Sequence, residues 1–168
     1  MALSIRFAGV EDAVTLHRFI VALAEYEKEP EAVEVTPAVL AAQMRSARPP
    51  FECLLAERDG RAVGLALFFQ SYSTWRGRPG LYLEDLFVDE SERRAGVGRA
   101  LLVRLAQVAV ERECGRLEWA VLDWNEPAIG FYRSLGAVAQ EEWTVHRLAD
   151  GALRALAGVA PDGIEPGR

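Results

Sequence analysis

A chain of 168 residues, 51% apolar and 26% charged, has the composition of a single globular domain able to bury its own core. Its 25 acidic against 19 basic residues leave a net charge of −6, which argues against broad nucleic-acid binding, and no apolar run reaches the roughly 20 residues of a membrane helix. Cys53 and Cys114 form no C-x-x-C pair, and His17 and His146 stand alone, so neither a metal site nor a histidine-centred triad is expected.

Residues 3–8 (LSIRFA) alternate as a strand does, and Val10 to Tyr26 carry a helical apolar pattern through Val14, Phe19, Ile20 and Leu23. Glu25, Glu27 and Glu29 gather where this helix ends, against the negative end of its dipole, at a few tenths to about 1 kcal/mol each. They form either a solvated polar end or an acidic lip that draws in a cation. Thr36 followed by Pro37 reads as the cap and first residue of a second helix reaching about Arg45. FECLLAER and RAVGLALFFQSY, joined by Asp59-Gly60, read as a β-hairpin.

Pro79-Gly80 introduces a further strand, LYLEDLFV (81–88). Glu84 and Asp85 interrupt its apolar run, a costly placement unless the carboxylates are paired or used. Strict alternation sends them to opposite faces, leaving one for any given pocket, and a salt bridge to a nearby arginine is the competing reading. A helix from Val97 to Arg112 follows, with Val97, Leu101, Leu105 and Val108 on one stripe and Gly115 as its C-terminal stop. RLEWAVLDW (116–124) is a strand, and Asn125 caps a helix with Pro127 in its first turn that runs to about Leu135 and closes at Gly136. AVAQ and EEWTVHRL supply final strands, and residues 150–168 a short helix and loose tail beyond a domain of 1–150. This order implies an α/β (α+β) fold, a mixed sheet with helices on both faces.

Between strand 81–88 and the next helix lies SERRAGVGRALL, residues 91–102. Strand, glycine turn and helix in succession make an anion site, because the first helical N–H groups are unpaired and the dipole is positive there. A nucleotide, a dinucleotide or coenzyme A would suit it. The P-loop pattern is absent, and Leu101 stands where G-x-G-x-x-G needs its third glycine, so both common fingerprints fail. What remains is R-x-x-G-x-G, from Arg93 through Gly96 to Gly98.

That motif, together with LAEYEKEPEAV (23–33), YSTWRGRPGLYLEDLFV (72–88), ERRAGVGRALL (92–102) and AVLDWNEPAIGFYRSLGA (120–137), resembles the GCN5-related N-acetyltransferase (GNAT) superfamily. Within it, the chain resembles the diamine (spermidine/spermine-type) and thialysine acetyltransferases. The resemblance implies a GNAT-type, mostly antiparallel sheet, acetyl-CoA as co-substrate with no metal beside it, and a homodimer; the start MALSIRFAGVED carries no charged-then-apolar signal pattern, so a cytoplasmic location is expected. The cofactor contacts it implies fall on Leu86, Phe87 and Val88, where pantetheine lies along a strand. They continue on Arg93, Arg94, Ala95, Gly96, Val97, Gly98 and Arg99 around the pyrophosphate, and on Asn125, Glu126, Pro127 and Ala128.

The implied acceptor site falls on Tyr26, Glu27, Glu84 and Glu141, with Glu84 drawing the amine's proton directly or through water. A bulge that this strand commonly carries in the superfamily would alter which faces Glu84 and Asp85 take. Tyr132 lies two turns after Asn125 on the same helix face. Packing beside Phe131 is one reading of it; the resemblance implies a general acid for the departing thiolate.

The implied activity is acetyl transfer to a primary amine of a small cationic substrate, by direct attack in a ternary complex, with no nucleic-acid or membrane partner. Some polyamine-acetylating members carry an acid before the tryptophan where this chain reads Ser73-Thr74-Trp75, which places it nearer the thialysine branch. A protein or peptide N-acetyltransferase, or a non-catalytic acyl-CoA-binding regulator, would share the cofactor half.

Overall fold

Five strands form one sheet in the spatial order of the chain: β1 (Leu3–Phe7), β2 (Glu52–Arg58), β3 (Arg61–Ser73), β4 (Arg78–Val88) and β5 (Leu117–Trp119). The computed structural model describes residues 2–159, which divide into two compact units, one up to residue 120 and one from residue 121 onward. The sheet lies wholly in the first. Its strands pair antiparallel from β1 to β4, and β5 joins β4 in parallel after the crossover helix α3 (Val97–Glu111). The mixed, mostly antiparallel sheet is therefore as expected.

Local chemistry sets most of the boundaries. Asp59 and Gly60 both take positive φ, 53° and 75°, which is what a two-residue hairpin turn demands. The Thr36 hydroxyl accepts from the Val39 N–H at 3.3 Å and starts α2 (Pro37–Arg45). Helix α1 (Ala13–Tyr26) and α2 cover one sheet face, where Leu16, Phe19 and Leu40 join Cys53, Leu55, Leu65, Leu67 and Phe87. On the other face α3 buries Val97, Leu101, Leu105 and Val108, with the Leu101 side chain beside Gly64. Each fully buried leucine there contributes about 1.5–3 kcal/mol.

Several expectations need correction. Val14 is exposed; the inward stripe of α1 is Ala13, Leu16 and Phe19, with Ile20 and Leu23 partly buried at its border. Pro79 and Gly80 lie inside β4, opposite Tyr72 and Ser71, rather than ahead of it. The left-handed residue that stops α3 is Glu113 (φ 57°), whose N–H and that of Cys114 return to the carbonyls of Val110 and Ala109. Gly115 instead donates its N–H to the Pro79 carbonyl at 2.8 Å. The strand expected over 116–124 is only Leu117–Trp119, because its partner β4 leaves the pairing after Leu83.

In the second unit, helix α4 (Glu126–Ser134) begins at Asn125 and ends at Gly136 (φ 88°). The N–H groups of Gly136 and Ala137 return to the carbonyls of Arg133 and Tyr132. The two strands expected over 137–148 do not form among the described residues. Strand propensity in Trp143, Thr144 and Val145 yields no strand without a neighbouring ladder to satisfy the backbone. Helix α5 (Asp150–Leu156) matches the expected short helix, and the tail from residue 160 lies outside the described residues.

Candidate active site

The register of β3 and β4 slips by one residue at the acidic pair. Leu67 faces Asp85, and the next residue, Phe68, faces Leu83, so Glu84 has no opposite number. This is a β-bulge with Glu84 as the extra residue. Because Leu65 and Leu67 belong to the α1 face, Asp85 and Phe87 share that face, whereas Leu83 sits with Phe68 on the face toward α3. The bulge thus reverses the inward sense of β4 midway. It also ends the pairing with β5: Leu81 to Leu83 have partners there, and the strand from Glu84 to Val88 does not. Leu86, Phe87 and Val88, the expected pantetheine residues, therefore lie along a strand edge that no strand among the described residues pairs. At this point Gly64 matters, since a Cβ there would stand 2.7 Å from the Phe87 carbonyl oxygen.

Three carboxylates feel one another at the bulge. Glu84 is exposed, while Asp85 and Glu27 are half-buried. Asp85 is pushed from its ordinary 3.8 to about 6, first by burial and then by the charges of Glu84 and Glu27. Glu27 is also raised, by burial and then by Glu84. Tyr82 is raised too, by burial, Glu84 and Glu118. Among the described residues neither Glu84 nor Asp85 forms an ion pair within 4.0 Å, so the salt-bridge reading fails.

Of the three glutamates expected at the end of α1, only Glu27 joins this group. Lys28 takes a left-handed φ of 66°, and the N–H groups of Lys28 and Glu29 return to the carbonyls of Glu25 and Ala24. That turn leaves Glu25 and Glu29 exposed and brings Glu27 within electrostatic reach of the acids of β4. The residues alone leave Glu84 and Asp85 open, and the resemblance ranks Asp85 behind Glu84. The sequence signal for Asp85 is the interrupted apolar run, and the information it lacks is the register.

The glycine loop has the geometry of an anion cradle. Arg94 and Gly96 take positive φ, 65° and 81°, and Gly96 precedes the first residue of α3. Ala100 is the first residue of the helix to donate back, to the Gly96 carbonyl at 2.9 Å, which leaves the N–H groups of Val97, Gly98 and Arg99 for a ligand. Ala95, Arg94 and Arg99 are exposed, and neither arginine has a side-chain hydrogen bond or ion pair among the described residues. These residues fit a pyrophosphate. Arg93 is engaged differently: its Nε–H donates to the Val88 carbonyl at 3.2 Å, and its guanidinium stands 5.1 Å from the Tyr26 ring.

The second unit holds the remaining expected residues. The Asn125 side chain is buried and accepts from the Ala128 N–H at 3.4 Å, with Glu126 and Pro127 forming the first turn between them. Tyr132 is half-buried, its ring 5.5 Å from that of Phe131. Glu141 lies exposed in a turn after the helix.

The acetyltransferase (GNAT) family matches residues 17–137. Thialysine N-epsilon-acetyltransferase of Bos taurus is 38% identical over 165 residues, covering 92% of this chain and 96% of that protein. L-ornithine N5-acetyltransferase of Arabidopsis thaliana is 44% identical over 98 residues, 58% of this chain and 43% of that one. Among solved structures, an integron cassette protein from V. cholerae superposes with a TM-score of 0.79 at 25% identity, covering 94% of this chain and 98% of its own.

Proposed function

Because the chain belongs to the acetyltransferase (GNAT) family, we propose that it acetylates a primary amine of a small cation, with acetyl-CoA along the β4 edge from Glu84 to Val88 and the amine at Glu27, Glu84 and Asp85. The observation that carries this reading is the convergence of three carboxylates, without arginine partners, at the bulge beside that edge. Acetyl-CoA, when bound, supplies the acetyl group as a thioester.

Each residue then has a task. The N–H groups of Val97, Gly98 and Arg99, with Arg94 and Arg99, hold the pyrophosphate. Glu27 and Glu84 attract the ammonium form of the acceptor. An alkylamine has a pKa of roughly 10, so a proton must leave it before its nitrogen can attack. Glu84 meets that proton, and Asp85, poised near 6, is the half-buried carboxylate that keeps it. The general-acid role toward the departing thiolate goes to Tyr132 on the family resemblance alone. Cys53 takes no part: it is buried, and burial pushes its thiol up, away from the nucleophilic thiolate.

Similarity to thialysine and ornithine acetyltransferases favours an amino acid with a side-chain amine over a long polyamine, in keeping with Ser73-Thr74-Trp75. A homodimer accompanies this reading. The deciding experiment measures CoA release with thialysine, ornithine, lysine, putrescine and spermidine side by side. Turnover is expected for the amino acids first. Acetyl-CoA binding in calorimetry with no CoA release from any of the five would replace the enzyme with a non-catalytic binder. Turnover of peptides alone would replace the small amine.

A further inference from the structure

Arg93 opens the R-x-x-G-x-G motif, yet its side chain is committed away from the helix start. Its Nε–H donates to the Val88 carbonyl at 3.2 Å, and its guanidinium stands 5.1 Å from the centre of the Tyr26 ring and 5.7 Å from that of Phe87. One side chain thereby touches three pieces: the cofactor loop, the end of β4, and the last residue of α1. Tyr26 is followed directly by Glu27, the helix-end carboxylate that senses Glu84. Arg94 and Arg99, by contrast, are exposed and free of hydrogen bonds and ion pairs among the described residues.

We infer that Arg93 is a positioning residue that ties the cofactor loop to the acceptor end of α1, so that a filled loop fixes Tyr26 and Glu27 for the amine. The assignment rests on the acetyl-transfer reading for its substrate and on the three contacts for its geometry. A planar guanidinium can lie over an aromatic ring while its Nε–H serves a carbonyl; an ammonium is a point charge with no such face. Lysine at this position keeps the charge and loses the bridge. A residue that merely neutralised phosphate would tolerate that exchange.

The experiment compares the parent chain with Arg93→Lys and Arg94→Ala. Calorimetry gives the Kd for acetyl-CoA, steady-state kinetics the amine KM and kcat, and hydrogen exchange with and without CoA the protection of residues 23–27. For Arg93→Lys the amine KM rises about three- to fivefold, the size of one exposed cation–π contact, and the acetyl-CoA Kd stays within about twofold. Arg94→Ala does the reverse. CoA slows exchange at residues 23–27 in the parent and not in Arg93→Lys. An Arg93→Lys variant with weakened acetyl-CoA binding and an unchanged amine KM would overturn the assignment, as would equal protection of residues 23–27 in both proteins. The exchange measurement needs no turnover, so it decides the role of Arg93 even if none of the amines is acetylated.

Discussion

Replacing Asp85 with asparagine tests the carboxylate cluster through two readouts that move in opposite directions. In the folded chain this carboxyl titrates near 6 rather than at its ordinary 3.8, because burial and the charges of Glu84 and Glu27 disfavour its ionised form. A raised carboxyl pKa means the native state binds more protons than the unfolded state between those two values. Stability from this group is therefore fully present below about pH 4 and lost as pH rises through 6. The difference of roughly two pH units corresponds to about 3 kcal/mol. The amide of Asp85→Asn does not titrate, so the unfolding free energy of the variant relative to the parent should rise by up to about 3 kcal/mol between about pH 4 and pH 7.5. Urea melts of both proteins at each pH supply that double difference, from which any pH-independent effect of the amide cancels. Over the same range, kcat/KM of the parent should fall below about pH 6 as Asp85 protonates, and the variant should lose about 10²- to 10⁴-fold at pH 7.5. A stability gap independent of pH would refute the account of burial and repulsion. An unchanged kcat would remove Asp85 from the proton path.

Glu27→Gln should raise the amine KM about three- to tenfold; it should also lower the pH at which activity fails, since one of the charges that raises Asp85 is gone, and an unmoved acidic limb would count against the cluster. Tyr132→Phe should lower kcat by about 10² with little change in KM; a parent-like kcat would assign the ring to packing against Phe131. Gly96→Ala meets open space but must hold a φ of +81°, so it should cost about 1 kcal/mol of stability and weaken acetyl-CoA binding in calorimetry. Unchanged melting and affinity would show that the loop does not need its left-handed residue.

What the sequence revealed of this fold is what short-range chemistry determines. Thr36-Pro37, Asp59-Gly60 and the Asn125 cap each satisfy their own backbone within a few residues, so their residue types announce them. The stop of α3 misled for the opposite reason: a glycine lay nearby, but Glu113 tolerates the left-handed turn and the helix used it two residues sooner. The strands expected over 137–148 show the same limit, because propensity cannot supply the partner that a ladder requires. At the site, the residues of the glycine loop were legible as a motif. The bulge was anticipated only through the resemblance, and its position was not legible, since it exists only as a register between Leu67–Phe68 and Leu83–Asp85. Its consequence is that Asp85, rather than Glu84, is the acid pressed into the face beneath α1. The acidic lip is likewise narrower than its sequence suggests, because the turn at Lys28 separates Glu27 from Glu25 and Glu29.

Three carboxylates gathered around an ammonium pose a problem that burial helps to solve. They attract the cation, and by stabilising it they make its proton harder to remove. An ordinary aspartate at 3.8 facing an alkylamine at roughly 10.4 would have to accept a proton uphill by about 9 kcal/mol. Raising Asp85 to about 6 removes about 3 kcal/mol of that climb. Protonation also relieves the repulsion that Glu84 and Glu27 exert on Asp85. The same quantity appears in the fold with the other sign, as stability lost at neutral pH when Asp85 is ionised. A half-buried, unpaired carboxylate that weakens the resting protein by this amount is difficult to explain as packing. It is accounted for if the strain is released when Asp85 takes the proton, which is why the stability and activity of Asp85→Asn must move in opposite directions.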